Sequence, residues 1–249
     1  MSVVYKVLAS MDIEMRRQES ISRNLAGSQI PGYKGETVLS SDFDGFIDRY
    51  SIHGQGTILG DNHVSFDSGP LKHTGRPLDF ALSGNGFFEI TTPDGDTLYT
   101  RNGRFLLSPS GEIQTIDGFK LEASVGNFQL NDEEDVNELF VKDDGNVAIG
   151  VGLRERELGR VKVVNFDDLT NLERISSSYY KLPDKYRNTI TDLGPGEFNI
   201  SGRTLENANI TPVKEMITMI DSMRKYEMAQ RLMKMRNGLS QKEYQTFGS

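Results

Sequence analysis

The chain has 249 residues, 36% of them hydrophobic, with 25 glycines, no tryptophan and no cysteine. That suffices for one large domain or two modest ones with many tight turns, and it excludes disulfides and thiolate zinc sites. A net charge of -8 argues against nucleic acid as a partner, because phosphate binding needs a cationic face.

Residues 3 to 26 contain no proline or glycine, and Val4, Leu8, Met11, Met15, Gln18, Ser22 and Leu25 recur at alternating steps of four and three. Heptad spacing places them on one stripe of a helix. Gly27 and the Pro31-Gly32 pair stop that helix. Lys6, Asp12, Glu14, Arg16 and Arg17 interrupt the opening apolar stretch, so it does not read as a Sec-type signal peptide. No window reaches the ~18 apolar residues of a membrane span.

Residues 33–75 read as an extended arm with a loose hairpin and too few apolar residues for a core of its own, expected to order against neighbouring molecules. From about residue 76 to 204 the pattern is that of an antiparallel β domain. Phe87 to Thr91 and Thr97 to Arg101 flank Pro93-Asp94-Gly95-Asp96. Asn102-Gly103 is a strong two-residue hairpin signal, with positive φ expected at one of the two. Glu138 to Lys142 and Val147 to Val151 flank Asp143-Asp144-Gly145-Asn146, and Gly159 to Phe166 alternates valine with polar residues. Thr211-Pro212 restarts helix. Met216, Met219, Met223, Tyr226, Gln230 and Met233 then repeat the heptad stripe, and Asn237-Gly238 is expected to end it. The fold class is therefore α+β: a mainly antiparallel β domain inserted between N- and C-terminal helices that pair as a coiled coil. Its divisions are a first helical segment 1–32, the arm 33–75, the β domain 76–204 and a last helical segment 205–249.

Three stretches carry a family resemblance. The first is Asn24-Leu25-Ala26 with Pro31-Gly32-Tyr33-Lys34. The second is Arg76-Pro77-Leu78-Asp79-Phe80-Ala81-Leu82, then Gly84-Asn85-Gly86-Phe87-Phe88 and Tyr99-Thr100-Arg101-Asn102-Gly103. The third is Leu205-Glu206-Asn207-Ala208-Asn209-Ile210, followed by Met216, Met219-Ile220 and Arg224-Lys225-Tyr226-Glu227. In this order they resemble the axial proteins of the bacterial flagellum, the rod and hook subunits. The wording Thr74-Gly75-Arg76-Pro77-Leu78-Asp79 looks most like the proximal-rod type, with a distal-rod or hook subunit as the alternative. The family usually has a second asparagine where Gly27 stands and a polar residue where Ile30 stands.

The resemblance implies a structural subunit that polymerises into a helical periplasmic rod and transmits motor torque. Its partners would be copies of itself, other rod proteins and the flagellar type III export apparatus, with no cleaved signal peptide. It implies an assembly interface on the terminal helices: Val4, Leu8, Met11, Met15, Asn24 and Leu25, with Met216, Met219, Ile220, Met223, Tyr226 and Met233. No cofactor or metal is expected. His53, His63 and His73 lack ligand spacing, Asp42-Phe43-Asp44-Gly45 lacks the later calcium ligands, and the nucleophile elbow is absent. The reading from another class is a β-rich carbohydrate-active protein with helical ends.

Overall fold

The computed structural model describes residues 3–38, 62–131 and 134–247. Asp42-Phe43-Asp44-Gly45 and His53 lie outside them. The chain forms two compact units: one of Gly27–Lys34 and Phe66–Asn209, the other of the remaining residues.

The β unit is antiparallel throughout. Strand Phe87–Thr91 pairs with Thr97–Thr100 across the expected turn, and also with Lys120–Leu121 and Val163–Phe166. Strands Leu139–Val141 and Asn146–Ile149 form the second expected hairpin, extended by Arg156–Val161 and then Ala123–Gly126. Phe80–Ser83 pairs with Asn199–Gly202, and Leu71–His73 with Thr204–Glu206. One core serves these strands. Phe80, Phe88, Ile90, Phe105, Ile113, Leu139 and Val147 are fully buried, each contributing ~1.5–3 kcal/mol by removing its apolar surface from water. Phe105 packs against both Phe80 and Phe88, with ring centroids 5.7 and 5.6 Å apart.

Asn102-Gly103 is not a hairpin turn. Strand Thr97–Thr100 already has a partner on each edge, Phe87–Thr91 and Tyr179–Lys181, so the chain beyond Gly103 cannot pair back onto it. Neither residue has positive φ. Instead Asn102 Oδ1 accepts from the Arg104 amide at 3.1 Å, a local Asx arrangement. Gly103 passes so close to Phe80 that a Cβ would stand 1.7 Å from the Phe80 carbonyl oxygen. The glycine serves a close backbone crossing, at which Phe80 N donates to Gly103 O (2.9 Å) and Phe105 N to Leu78 O (3.0 Å).

The arm divides. Glu36–Val38 and Asn62–Val64 pair with each other in the helical unit. Residues 66 to 73 pack on the chain's own β unit rather than awaiting a neighbour, because Leu71–His73 is paired and the Phe66 ring lies edge-on to Phe87 and Tyr180.

In the helical unit, α1 spans Val3–Gly27 and α2 spans Pro212–Phe247. The α1 stop and the α2 start stand where the residue signals put them. The far end of α2 does not, for it runs straight through Asn237-Gly238. An interior glycine costs ~1 kcal/mol relative to alanine, and the subsequent Leu239, Gln241, Lys242 and Glu243 are residues that a helix accommodates readily. No helix among the described residues is long and apolar enough to cross a membrane.

Candidate functional site

Two features of the molecule gather the motif residues. The first is the seam between α1 and α2. Ser222 Oγ donates to the Glu14 carbonyl (3.3 Å), and Asn24 Nδ2 donates to Glu215 Oε2 (3.2 Å). Asn24 also exchanges bonds with Glu36: its Nδ2 donates to Glu36 O (2.8 Å) and its Oδ1 accepts from Glu36 N (3.0 Å). One buried amide thus ties α1 to a strand and to α2, at about 1 kcal/mol net for each bond. Arg23 adds an ion pair to Glu36.

Asn24, an expected interface residue, is buried, and Ser20 is buried with it. Four other buried positions stand one residue before a stripe position: Glu14 and Ile21 on α1, beside Met15 and Ser22, and Ser222 and Ala229 on α2, beside Met223 and Gln230. One residue is about 100° of helix, so the apolar stripe faces partly away from the seam. Leu8 and Met15 on α1 and Met216, Ile220 and Met223 on α2 are each about half exposed. Met11, Leu25, Met219, Tyr226 and Met233 are half-buried, and Val4 lies in α1 outside the described side chains.

The second feature lies within the β unit, where the three motif stretches meet. Gly32 N donates to Glu206 O (2.7 Å), and Asn209 N donates to Tyr33 O (3.2 Å). Gly32 has φ +67°, and a Cβ there would stand 2.3 Å from the Arg101 carbonyl carbon. Only glycine satisfies both the left-handed backbone and the contact. Beside this crossing, Lys34 Nζ donates to Glu206 Oε1 at 2.7 Å and to Asp67 O at 2.8 Å. Arg101 Nη1 stands 3.6 Å from Glu206 Oε2. The Lys34, Arg101 and Glu206 side chains are 1%, 3% and 1% exposed, so two cations share one carboxylate away from water. Burial holds the Lys34 ammonium below the usual lysine range, against the opposing pull of Glu206, and likewise lowers Arg101. Arg174 closes the far side: its guanidinium donates to Lys34 O and stacks 4.7 Å from the Tyr33 ring and 5.5 Å from Tyr180.

None of Lys34, Arg101 and Glu206 was an expected site residue, although each lies inside one of the family-like stretches. The available signal was a lone charge within each of three short runs, positive in 31–34 and 99–103 and negative in 205–210. Among the described residues no His, Asp or Glu cluster is arranged to hold a metal ion.

Comparison with known proteins points one way. The D1 domain of flagellar hook proteins FlgE/F/G matches residues 81–149, and the C-terminal domain of flagellar basal-body rod FlgEFG proteins matches 202–245. The chain is similar to the flagellar basal-body rod protein FlgF of Mesorhizobium japonicum, 29% identical over 100% of this chain and 98% of the relative. It is similar also to FlgG of Borreliella burgdorferi, 24% identical over 91% of each. With FlgF of Caulobacter vibrioides the identity is 27% over 90% of this chain and 89% of that protein.

Proposed function

We propose that this chain is a structural subunit of the family of flagellar hook and basal-body rod proteins, which its matches support, and that its own place is the proximal rod. What supports this position, that of the FlgF type, is that the Mesorhizobium and Caulobacter FlgF proteins are 29% and 27% identical to this chain, against 24% for the Borreliella FlgG. The rod subunit is exported through the flagellar type III apparatus without a cleaved signal, joins copies of itself and other rod proteins in the periplasm, and transmits torque.

Within the subunit, α1 and α2 pair as a coiled coil. Support for this comes from the spacing of the sheltered positions of α2: Glu215, Met219, Ser222, Tyr226, Ala229 and Met233 alternate steps of four and three. The two hydrogen bonds across the seam fix its register. The fully buried members of the α2 stripe, Ser222 and Ala229, are small, and Met216, Ile220 and Met223 are left available to another subunit. Methionine adapts to unlike surfaces, which suits a subunit meeting different neighbours above and below. A head-to-tail contact that does not close on itself builds a helical filament.

The cysteine-free chain offers a direct test. A single cysteine introduced at Met216 and crosslinked in purified basal bodies should capture proximal-rod neighbours. Crosslinks to hook subunits alone would move the chain out of the proximal rod, and a monodisperse protein that never enters basal bodies would remove the assembly reading altogether.

A further inference from the structure

We propose that Lys34, Glu206 and Arg101 form a clasp that docks the two ends of the chain onto the β unit in a fixed order, the strand Thr204–Glu206 first and the segment 27–34 only afterwards. The inference concerns the folding of a single chain and holds whichever rod position the subunit takes.

Arg101 is the pre-set member. Its Nη1 donates to Leu82 O (3.3 Å) and its Nη2 to Gly84 O (2.7 Å), and its guanidinium lies 5.2 Å from the centre of the Phe87 ring. These partners all come from residues 82 to 87. The arginine is therefore in place once that stretch and Thr97–Thr100 have folded, which brings in Asn199–Gly202 as the partner of Phe80–Ser83 but does not require the segment 27–34. Its charge then awaits a carboxylate. Glu206 supplies it when Thr204–Glu206 pairs with Leu71–His73, and the same carboxylate accepts from Gly69 N at 2.7 Å. At that stage one cation faces one anion, and the cluster is neutral.

Lys34 has its seat only after this step. Its two acceptors, Asp67 O and Glu206 Oε1, belong to the layer that the pairing of residues 71–73 with 204–206 creates. Gly32 N and Tyr33 O also bond into that layer, at Glu206 O and Asn209 N. Docking in the opposite order would bury the Lys34 ammonium beside the Arg101 guanidinium with only the exposed Asp67 carboxylate to offset them, and desolvating two like charges together is strongly unfavourable. The shared carboxylate thus makes arrival of the last strand a condition for seating the first segment. A chain whose C-terminal part has not yet reached the β unit keeps its N-terminal segment undocked, and the clasp couples the closing of one end to the presence of the other.

The order is tested on the full-length chain by pulse-labelled hydrogen exchange during refolding, read by mass spectrometry. Amides in 204–206 should gain protection before those in 32–34; simultaneous protection, or the reverse order, would overturn the clasp. At equilibrium, Lys34→Met should speed exchange of the 27–34 amides by about tenfold to a hundredfold, the loss of charge-assisted bonds, while in refolding residues 71–73 and 204–206 should still gain protection at the wild-type rate. Glu206→Gln should loosen all three. The exchanged pair Lys34→Glu with Glu206→Lys should not restore protection, because the new lysine would meet Arg101. Full rescue by that pair would mean that two residues matter and not three, and slower protection of 204–206 during refolding of Lys34→Met would mean that the steps are not ordered. If Glu206→Gln fails to fold, the wild-type refolding order and Lys34→Met still decide.

Discussion

Ser222 of α2 and Glu14 of α1 lie 208 positions apart and meet at 3.3 Å, hydroxyl to backbone carbonyl, with Ser222 only 1% exposed. A serine between two helices lets the backbones come near, and its buried hydroxyl finds an acceptor in a helical carbonyl. Ser222→Ala removes one bond and should cost about 1 kcal/mol. Ser222→Leu must also force the helices apart and should cost ~1–3 kcal/mol more. Hydrogen exchange across residues 14–24 and 215–229 reads both; equal protection in Ser222→Leu and wild type would show that the seam lies elsewhere.

Met223, the next residue along, tests the outward face. It is 47% exposed within the chain, so Met223→Asp should leave the isolated subunit folded, with an unchanged helical signal. In the rod the same carboxylate would be covered by a neighbour without a partner, at several kcal/mol, and the variant should be missing from purified basal bodies. Motile cells carrying only Met223→Asp would refute the assembly role of this face. The contrast with Ser222→Leu separates the two faces, since one substitution disturbs the pair and the other only the surface that covers it.

The legible part of the sequence was local. The α1 stop at Gly27, the α2 start at Pro212 and the turns at Asp94-Gly95 and Asp144-Gly145 depend on residues a few positions apart, and the chain folds there as its turn chemistry dictates. Asn102-Gly103 misleads because the strand before it is claimed on both edges by distant segments, a competition that no local signal records. The heptad stripes show that helices exist, but not which face is inward. Asn24 and Ser222 are held inward by hydrogen bonds beside apolar Ile21 and Ala229, so apolar spacing alone does not give the inward face. Lys34 and Glu206 are 172 positions apart, and spacing arguments within one segment cannot join them.

Gly32→Ala probes the junction where the motifs cross. The native φ of +67° is strained for alanine, and the added Cβ would overlap the Arg101 backbone at 2.3 Å, which cannot rotate away as a flexible side chain could. Together these should destabilise the β unit by about 2–4 kcal/mol, read as a lower urea midpoint with an unchanged slope. A midpoint equal to wild type would mean that segment 27–34 is not held against Arg101 in solution.

Tyr99 provides a prediction in alkaline solution. Burial first, and the nearby Glu89 carboxylate second, push its phenol up from 10.0 to about 12. Between those values the folded chain keeps a proton that the unfolded chain releases, so the folded state binds more protons and stability must fall as pH rises. The contribution is fully present below pH 10 and is lost progressively towards pH 12, about 2–3 kcal/mol at most. Tyr179, whose phenol is also raised, chiefly by burial and by its bond to Asp117, adds a loss in the same direction. Tyr99→Phe deletes an ionisable group and keeps the ring that packs 4.8 Å from Phe166. It should therefore leave stability near neutrality almost unchanged and flatten the decline above pH 10, with the remaining slope due to Tyr179 and other alkaline groups. Urea midpoints tracked for both proteins across that range decide the matter: superimposable curves would show that the Tyr99 phenolate is accommodated in the folded chain.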